Sequence, residues 1–140
     1  MSKYLGVDFG LKRIGLSITD QEKIFAFPLK TIENNNAFNF FKDFFLKEEI
    51  SKVIIGYPKR FSGDDSDIES SIKIFIIKFK KQFPEIEIER FDERFTSKLA
   101  TKAIISSGLG KKKRSNKSLI DKVSAAIILQ DYLTYNKSNL

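Results

Sequence analysis

Three short strand-like segments open the sequence, and they restrict the possible folds more than any other feature. The segments cover residues 4–9, 13–19 and 24–29, and only a few residues connect each one to the next. Strands joined this closely pair antiparallel, because a parallel pair needs a long crossover connection. Gly10 lies in the first connection, where a tight turn can require a positive φ. We therefore predict an antiparallel three-stranded meander.

Helical and strand-like patterns then alternate along the rest of the chain. Phenylalanines recur at helical spacing from Phe38 to Phe45, which predicts a helix that continues through Lys47 and whose aromatic face lies in the core. Ser66 and Ser118 each begin a capping-box pattern and should start a helix. The predicted helices after the first cover residues 66–83, 96–108 and 118–132, the predicted later strands cover 52–57 and 86–91, and a fraying tail follows from 135 to 140.

This order of elements predicts an α/β fold with a mixed sheet and helices on both faces. The chain has 140 residues and no visible interdomain linker, so we expect one domain over residues 1–140. No apolar stretch is long enough to span a membrane, and the N-terminus has no pattern typical of a secretory signal. We therefore expect a cytoplasmic protein with no membrane partner.

The sequence contains neither Cys nor His. This excludes disulfides, thiol nucleophiles, Ser-His-Asp triads and the usual zinc sites. An enzyme of this composition must use carboxylates, Lys, Tyr, backbone dipoles or bound cations. Carboxylates favour hard cations, with Mg²⁺ or Mn²⁺ first.

The positive charge of the chain is concentrated near the C-terminus. There are 25 Lys and Arg residues against 18 Asp and Glu, which gives a net charge of +7. Residues 95–120 contain no acidic side chain and carry this excess through Lys98, Lys102, Lys111, Lys112, Lys113, Arg114 and Lys117. A concentrated basic segment is typical of a protein that binds a polyanion, although it could also be a solvated linker.

Acidic residues stand at three distant places where a strand ends or a helix starts. Asp8 lies inside an apolar strand, Asp92 and Glu93 follow a later strand, and Asp121 opens the last helix. Three such positions are what a nuclease that uses divalent cations needs, because the cations activate water and no His is required. Each position also has a structural alternative: Asp8 could pair with Lys12 or Arg13, Glu93 with Arg90 or Arg94, and Asp121 could cap its own helix.

Four blocks of sequence resemble the YqgF (RuvX) family of pre-16S rRNA nucleases, which are also described as Holliday-junction-resolvase-like proteins. The blocks are VDFGLKRIG (7–15), IGYP (55–58) with Ser62 and Gly63 after it, DERFTS (92–97) and DKVSAAIIL (121–129). They occur in the family's order and span nearly the whole chain. The chain departs from the family at Lys59-Arg60-Phe61, Leu11 and Ser17.

The resemblance implies a ribonuclease H-like fold, whose mixed five-stranded sheet has three antiparallel strands first. It also implies that Asp8, Glu93 and Asp121 form a catalytic metal site for Mg²⁺ or Mn²⁺, with two ions and with Asp92 competing for the role of Glu93. We expect nucleic acid to contact Lys12, Arg13, Arg94, Thr96, Lys111, Lys112, Lys113, Arg114 and Lys117.

The resemblance further implies hydrolysis of RNA at the 5′ end of pre-16S rRNA during ribosome biogenesis, by a monomer or a homodimer. Three alternatives remain open at this stage. A resolvase would cut branched DNA as a dimer, and single-stranded DNA is also a possible substrate. A nucleic-acid-binding module would have no catalytic activity. A phosphotransferase of the actin-like kinase group would normally need two copies of the domain, which 140 residues cannot hold.

Overall fold

The computed structural model describes residues 2–57, 66–92 and 117–138, which form five strands and three helices. The strands are β1 (Lys3–Asp8), β2 (Arg13–Thr19), β3 (Ala26–Glu33), β4 (Ile50–Tyr57) and β5 (Glu87–Asp92). The helices are α1 (Ala37–Lys47), α2 (Ser66–Gln82) and α3 (Lys117–Ser138), and a short 3₁₀ helix (Asn34–Asn36) precedes α1. The helix predicted over residues 96–108 lies outside the described residues.

The five strands form one mixed sheet in the order β3-β2-β1-β4-β5. β2 pairs antiparallel with both β1 and β3, whereas β4 pairs parallel with both β1 and β5. The predicted mixed sheet, with its first three strands antiparallel, is therefore confirmed. Because β1, β4 and β5 run in the same direction, their carboxyl ends lie along one edge of the sheet.

Each face of the sheet packs against different helices, because successive side chains of a strand point to opposite faces. Leu5, Val7, Val53 and Ile55 pack with the phenylalanines of α1 and α2. The opposite face carries Ile54 and Phe91, which pack with α3 residues such as Leu129. We call the first the α1/α2 face and the second the α3 face.

The aromatic helix is confirmed as part of the core. Phe41 is fully buried, and its ring centroid lies 5.6 Å from that of Phe79 on α2 and 5.5 Å from that of Phe45. Phe38 and Phe40 pack against the same cluster. Helical spacing in α1 therefore fixes which side of the helix contacts the sheet.

β3 extends further than its sequence pattern indicates, since it continues to Glu33 instead of ending near Pro28. β3 is an edge strand, where a proline need not donate a hydrogen bond to a neighbour. The pairing of β2 with β3 also shifts register between Leu16 and Ser17, opposite Pro28. A proline at an edge and beside a bulge interrupts the ladder locally without ending the strand.

α3 is also longer than predicted. It begins at Lys117, so Ser118 lies inside the helix, and it continues to Ser138 instead of ending at Tyr132. The ring of Tyr135 lies 5.9 Å from that of Phe91, so packing against β5 continues past the predicted end. Within the part of the chain that the structure describes, no helix is long and apolar enough to cross a membrane.

Candidate active site

Gly15 brings Asp8 and Asp121 together on the α3 face. Gly15 lies directly opposite Asp8 in the antiparallel ladder between β1 and β2. A Cβ atom on Gly15 would collide with the backbone carbonyl of Asp121, so α3 lies against the backbone of β2 at this point. Gly6, two residues before Asp8, also faces α3, because a Cβ there would lie 2.9 Å from the Cβ of Leu129. By strand alternation, Asp8 faces α3 as well.

A buried hydrogen bond holds α3 in this position one turn further along. The hydroxyl of Ser17 donates to the backbone carbonyl of Ala125 at 2.8 Å, and Ser17 is fully buried. This hydroxyl links β2 to α3.

Asp121 forms an ion pair with Arg13 across the site. The Nε atom of Arg13 lies 3.0 Å from Oδ2 of Asp121, and 39% and 29% of the two side chains are exposed. Asp121 lies beyond the first turn of α3, which contains no acidic residue. The pair with Arg13 on β2 is therefore the observed contact of this carboxylate.

Asp92 lies on the other face of the sheet from Asp8 and Asp121. Both carboxylate oxygens of Glu69 on α2 accept hydrogen bonds from Arg90, each at 3.0 Å, so Arg90 points to the α1/α2 face. Asp92 is two residues further along β5 and points the same way. Phe91, between them, packs on the α3 face.

Glu93 lies outside the described residues, as do Arg94, Thr96, Lys111, Lys112, Lys113 and Arg114. Lys117 is the first residue of α3. Within residues 2–57, 66–92 and 117–138, no group of three or more Asp or Glu side chains could hold a metal ion. Of the predicted acidic set, the structure thus brings together Asp8 and Asp121 and places Asp92 apart.

The turn between β1 and β2, residues 9–12, is fixed from the end of β3. The side-chain amide of Asn34 donates to the carbonyl of Gly10 at 2.7 Å, and its backbone N–H donates to the carbonyl of Lys12 at 2.9 Å. Gly10 does not take the positive φ suggested by the sequence. Glycine is needed there because a Cβ would collide with the carbonyl of Arg13. Lys12 is exposed on this turn, next to the candidate site.

A polar network that the sequence did not reveal fastens the other end of α3 to the sheet. Nζ of Lys52 lies 3.1 Å from Oε1 of Glu89 and 3.2 Å from the hydroxyl of Tyr132, which donates to Glu89 at 2.8 Å. Burial lowers the pKa of Lys52, but its bonds to Tyr132 and Glu89 outweigh this effect and raise that pKa above its usual value. Burial, with the bond to Glu89, raises the pKa of Tyr132.

Comparison with solved structures identifies the fold. The chain is similar to the T. thermophilus RuvC protein, solved in complex with a Holliday junction substrate, with a TM-score of 0.62, 10% identity and coverage of 98% and 96% of the two chains. It is also similar to the fowlpox virus Holliday junction resolvase, with a TM-score of 0.51, 16% identity and coverage of 99% of each chain. The fold is thus the ribonuclease H-like fold of the RuvC-like resolvases.

Sequence comparison identifies the family. The RuvX family model, described as Holliday junction resolvase, matches residues 2–135. A Flavobacterium psychrophilum protein is 49% identical over 134 residues, which is 96% of this chain and 98% of that protein. A Flavobacterium johnsoniae protein is 46% identical over 134 residues, with coverage of 96% and 97%. Both are named "Putative pre-16S rRNA nuclease". The chain belongs to the RuvX family.

Proposed function

We propose that this protein is a metal-dependent nuclease that hydrolyses phosphodiester bonds in RNA and processes the 5′ end of pre-16S rRNA. The names of its relatives, which match nearly end to end, support the reaction and the substrate. The observation that carries the proposal is that Gly15 lies opposite Asp8 in the ladder and against the backbone of Asp121. Two carboxylates from distant parts of the chain, on one face of the sheet, suit chemistry at a phosphate.

The donor groups at this place fit a hard divalent cation. Asp8 and Asp121 offer carboxylate oxygens, and the sequence contains no His or Cys that would favour zinc. Arg13 already pairs with Asp121 at 3.0 Å, so a bound cation would share this carboxylate with a guanidinium group. We propose Asp8, Glu93 and Asp121 as the residues that hold Mg²⁺ or Mn²⁺, with two ions in the site.

Strand alternation supports Glu93 over Asp92 as the third acid. Asp92 ends β5 on the α1/α2 face, away from Asp8 and Asp121. An acid that joins these two must approach the α3 face, which is the side occupied by Phe91. Asp92 is therefore the weaker candidate, and we assign the third ligand to Glu93.

Divalent cations held by Asp8, Glu93 and Asp121 would activate water and offset the charge of the scissile phosphate. In the proposed hydrolysis, water attacks phosphorus in line with the leaving 3′ oxygen. Asp8 and Asp121 orient the site, and Arg13 holds the carboxylate of Asp121 in place. Lys12 and the basic side chains between residues 94 and 117 bind the phosphate backbone of the RNA. Binding therefore weakens as salt increases and depends little on the RNA sequence.

Cleavage of Holliday junctions is the second candidate activity, because the matching family model is described as a resolvase. The two activities would use the same acids, but symmetric cutting of a junction needs two active sites and therefore a homodimer. We propose one nuclease domain over residues 1–140 that works on RNA in the cytoplasm as a monomer or a homodimer.

The test is a comparison of three substrates under one condition. Pre-rRNA leader, unrelated single-stranded RNA and a four-way DNA junction are incubated with Mg²⁺ or Mn²⁺, with an Asp8→Asn variant alongside. We expect the wild type to cleave the leader and the Asp8→Asn variant to leave it intact. If the protein cuts the DNA junction but neither RNA, the proposed function is wrong and Holliday-junction cleavage takes its place.

A further inference from the structure

We propose that a groove beside the β1–β2 turn binds an unpaired base of the RNA strand next to the scissile phosphate. The groove has a volume of about 200 Å³ and lies between this turn, the start of α1 and one stripe of α2. The inference rests on the proposed nuclease function and extends it, because it names single-stranded RNA as the form recognised at the site.

The position of the groove relative to Asp8 is the first argument. Asp8 and Phe9 are adjacent, but Asp8 faces α3, whereas the ring of Phe9 lies 5.3 Å from that of Phe75 on α2. The groove therefore opens on the α1/α2 face immediately across the end of β1 from the candidate site. A strand that crosses the β1–β2 turn can place a phosphate at Asp8 and a neighbouring base in the groove.

The lining of the groove suits a base rather than a charged or purely apolar group. Phe9 and Phe38 contribute aromatic rings, and both pack on Phe75. Leu11 and Ile74 form apolar walls that remain 61% and 57% exposed. Unpaired bases commonly stack on aromatic and apolar side chains, whereas bases within a duplex are not accessible in this way.

The charges near the groove fit a polyanion. Lys78 is the single charged residue among the described residues that line it, and Lys12 is exposed on the adjoining turn. A larger groove of about 390 Å³ between β3 and α1 differs in this respect, since among the described residues of its lining the two acids, Glu33 and Asp43, outnumber the one basic residue, Lys30. Charge therefore favours the groove beside the β1–β2 turn for nucleic acid.

The chain offers a closely matched control for this groove. Ile74 and Ile77 are the same residue type on the same helix, 57% and 58% exposed, but only Ile74 lines the groove. Ile74→Ser, Leu11→Ser and Ile77→Ser each replace one exposed apolar side chain. Binding is measured without divalent cations, so that the result does not depend on cleavage. The probes are a single-stranded RNA that carries a fluorescent adenine analogue, and the same RNA annealed to its complement.

We expect Ile74→Ser and Leu11→Ser to weaken binding of the single strand about fivefold, with loss of the stacking-induced quenching of the analogue. Duplex binding should not change, and Ile77→Ser should behave like the wild type. Equal effects of Ile74→Ser and Ile77→Ser, or none, would overturn the proposal. So would a change in sedimentation caused by Ile74→Ser with unaltered RNA affinity, because the groove would then join two copies of the chain. If RNA binding depends on the groove as expected but the protein does not cleave RNA, the nuclease function is rejected and the groove proposal stands.

Discussion

Arg13 and Asp121 join β2 to α3 through an ion pair, with 3.0 Å between Nε and Oδ2, beside the cross-strand position of Asp8. The two residues are 108 positions apart in sequence. Their contact connects the start of the second strand with the last helix and so defines one wall of the candidate site.

Replacement of Arg13 should separate the role of this pair in catalysis from its role in stability. The pair is partly exposed, so Arg13→Gln should cost less than about 1 kcal/mol in the free energy of unfolding. Because Arg13 orients a proposed metal-binding carboxylate, cleavage of RNA should fall about 10–100-fold. Urea denaturation and cleavage rates measure the two effects, and Lys42→Gln on α1 is the control. A large stability loss with normal cleavage would contradict this role.

Gly15→Ala should displace α3, because the added Cβ meets the carbonyl of Asp121. We expect a loss of about 1–3 kcal/mol in the free energy of unfolding, as for other overpacked cores. The activity of the molecules that remain folded should also fall, since Asp121 moves.

Ser17→Ala is the matched comparison for Gly15→Ala. It removes the buried bond to the carbonyl of Ala125 and adds no atom, so it should cost about 1 kcal/mol in the free energy of unfolding and leave cleavage nearly normal. Similar cleavage by both variants would show that the contact at Gly15 does not position Asp121.

The network of Lys52, Glu89 and Tyr132 predicts a loss of stability at alkaline pH. The pKa values of Lys52 and Tyr132 are both raised in the folded protein. A raised folded pKa contributes stability that is fully present below the unfolded pKa, about 10 for both residue types, and is lost as the pH rises beyond it. The free energy of unfolding should therefore fall above about pH 10, and Tyr132→Phe should make this fall shallower. An unchanged slope in Tyr132→Phe would assign the alkaline transition to other groups.

The basic segment predicts how RNA binding depends on salt. Joint replacement of Lys111, Lys112, Lys113 and Arg114 by Gln should make the plot of log affinity against log salt less steep. The slope for single strands is about −0.7 per neutralised phosphate, so several contacts give a measurable change. The same slope in wild type and variant would identify the segment as a linker.

Local patterns in the sequence were sufficient for most of the fold. β2 has the predicted bounds, Arg13–Thr19, because alternation is regular there and short turns flank it. The predicted end of β3 was wrong because the effect of a proline depends on whether its strand lies at an edge. The predicted end of α3 was wrong because Tyr135 packs against Phe91 of β5, a contact that the sequence of the helix alone does not reveal.

The candidate site was less accessible to prediction from sequence. Asp8 stands out because a carboxylate inside an apolar strand needs a partner or a cation. Asp92 and Glu93 are adjacent, and both faces of β5 are covered, so the sequence left the choice between them open. The orientation of Arg90 towards Glu69 on α2 places Asp92 on the α1/α2 face. The contact of Gly15 with Asp121 depends on the packing of α3, which no local pattern encodes.

The central claim is that Asp8 and Asp121 act together in one metal-dependent site. The most direct measurement is Mn²⁺ binding by titration calorimetry, with RNA cleavage in the same buffer, for Asp8→Asn, Asp121→Asn and the exposed control Asp43→Asn. We predict that the first two variants keep the wild-type circular dichroism spectrum but lose Mn²⁺ binding and cleavage, whereas Asp43→Asn keeps both. Wild-type Mn²⁺ affinity and turnover in Asp8→Asn or Asp121→Asn would contradict the account.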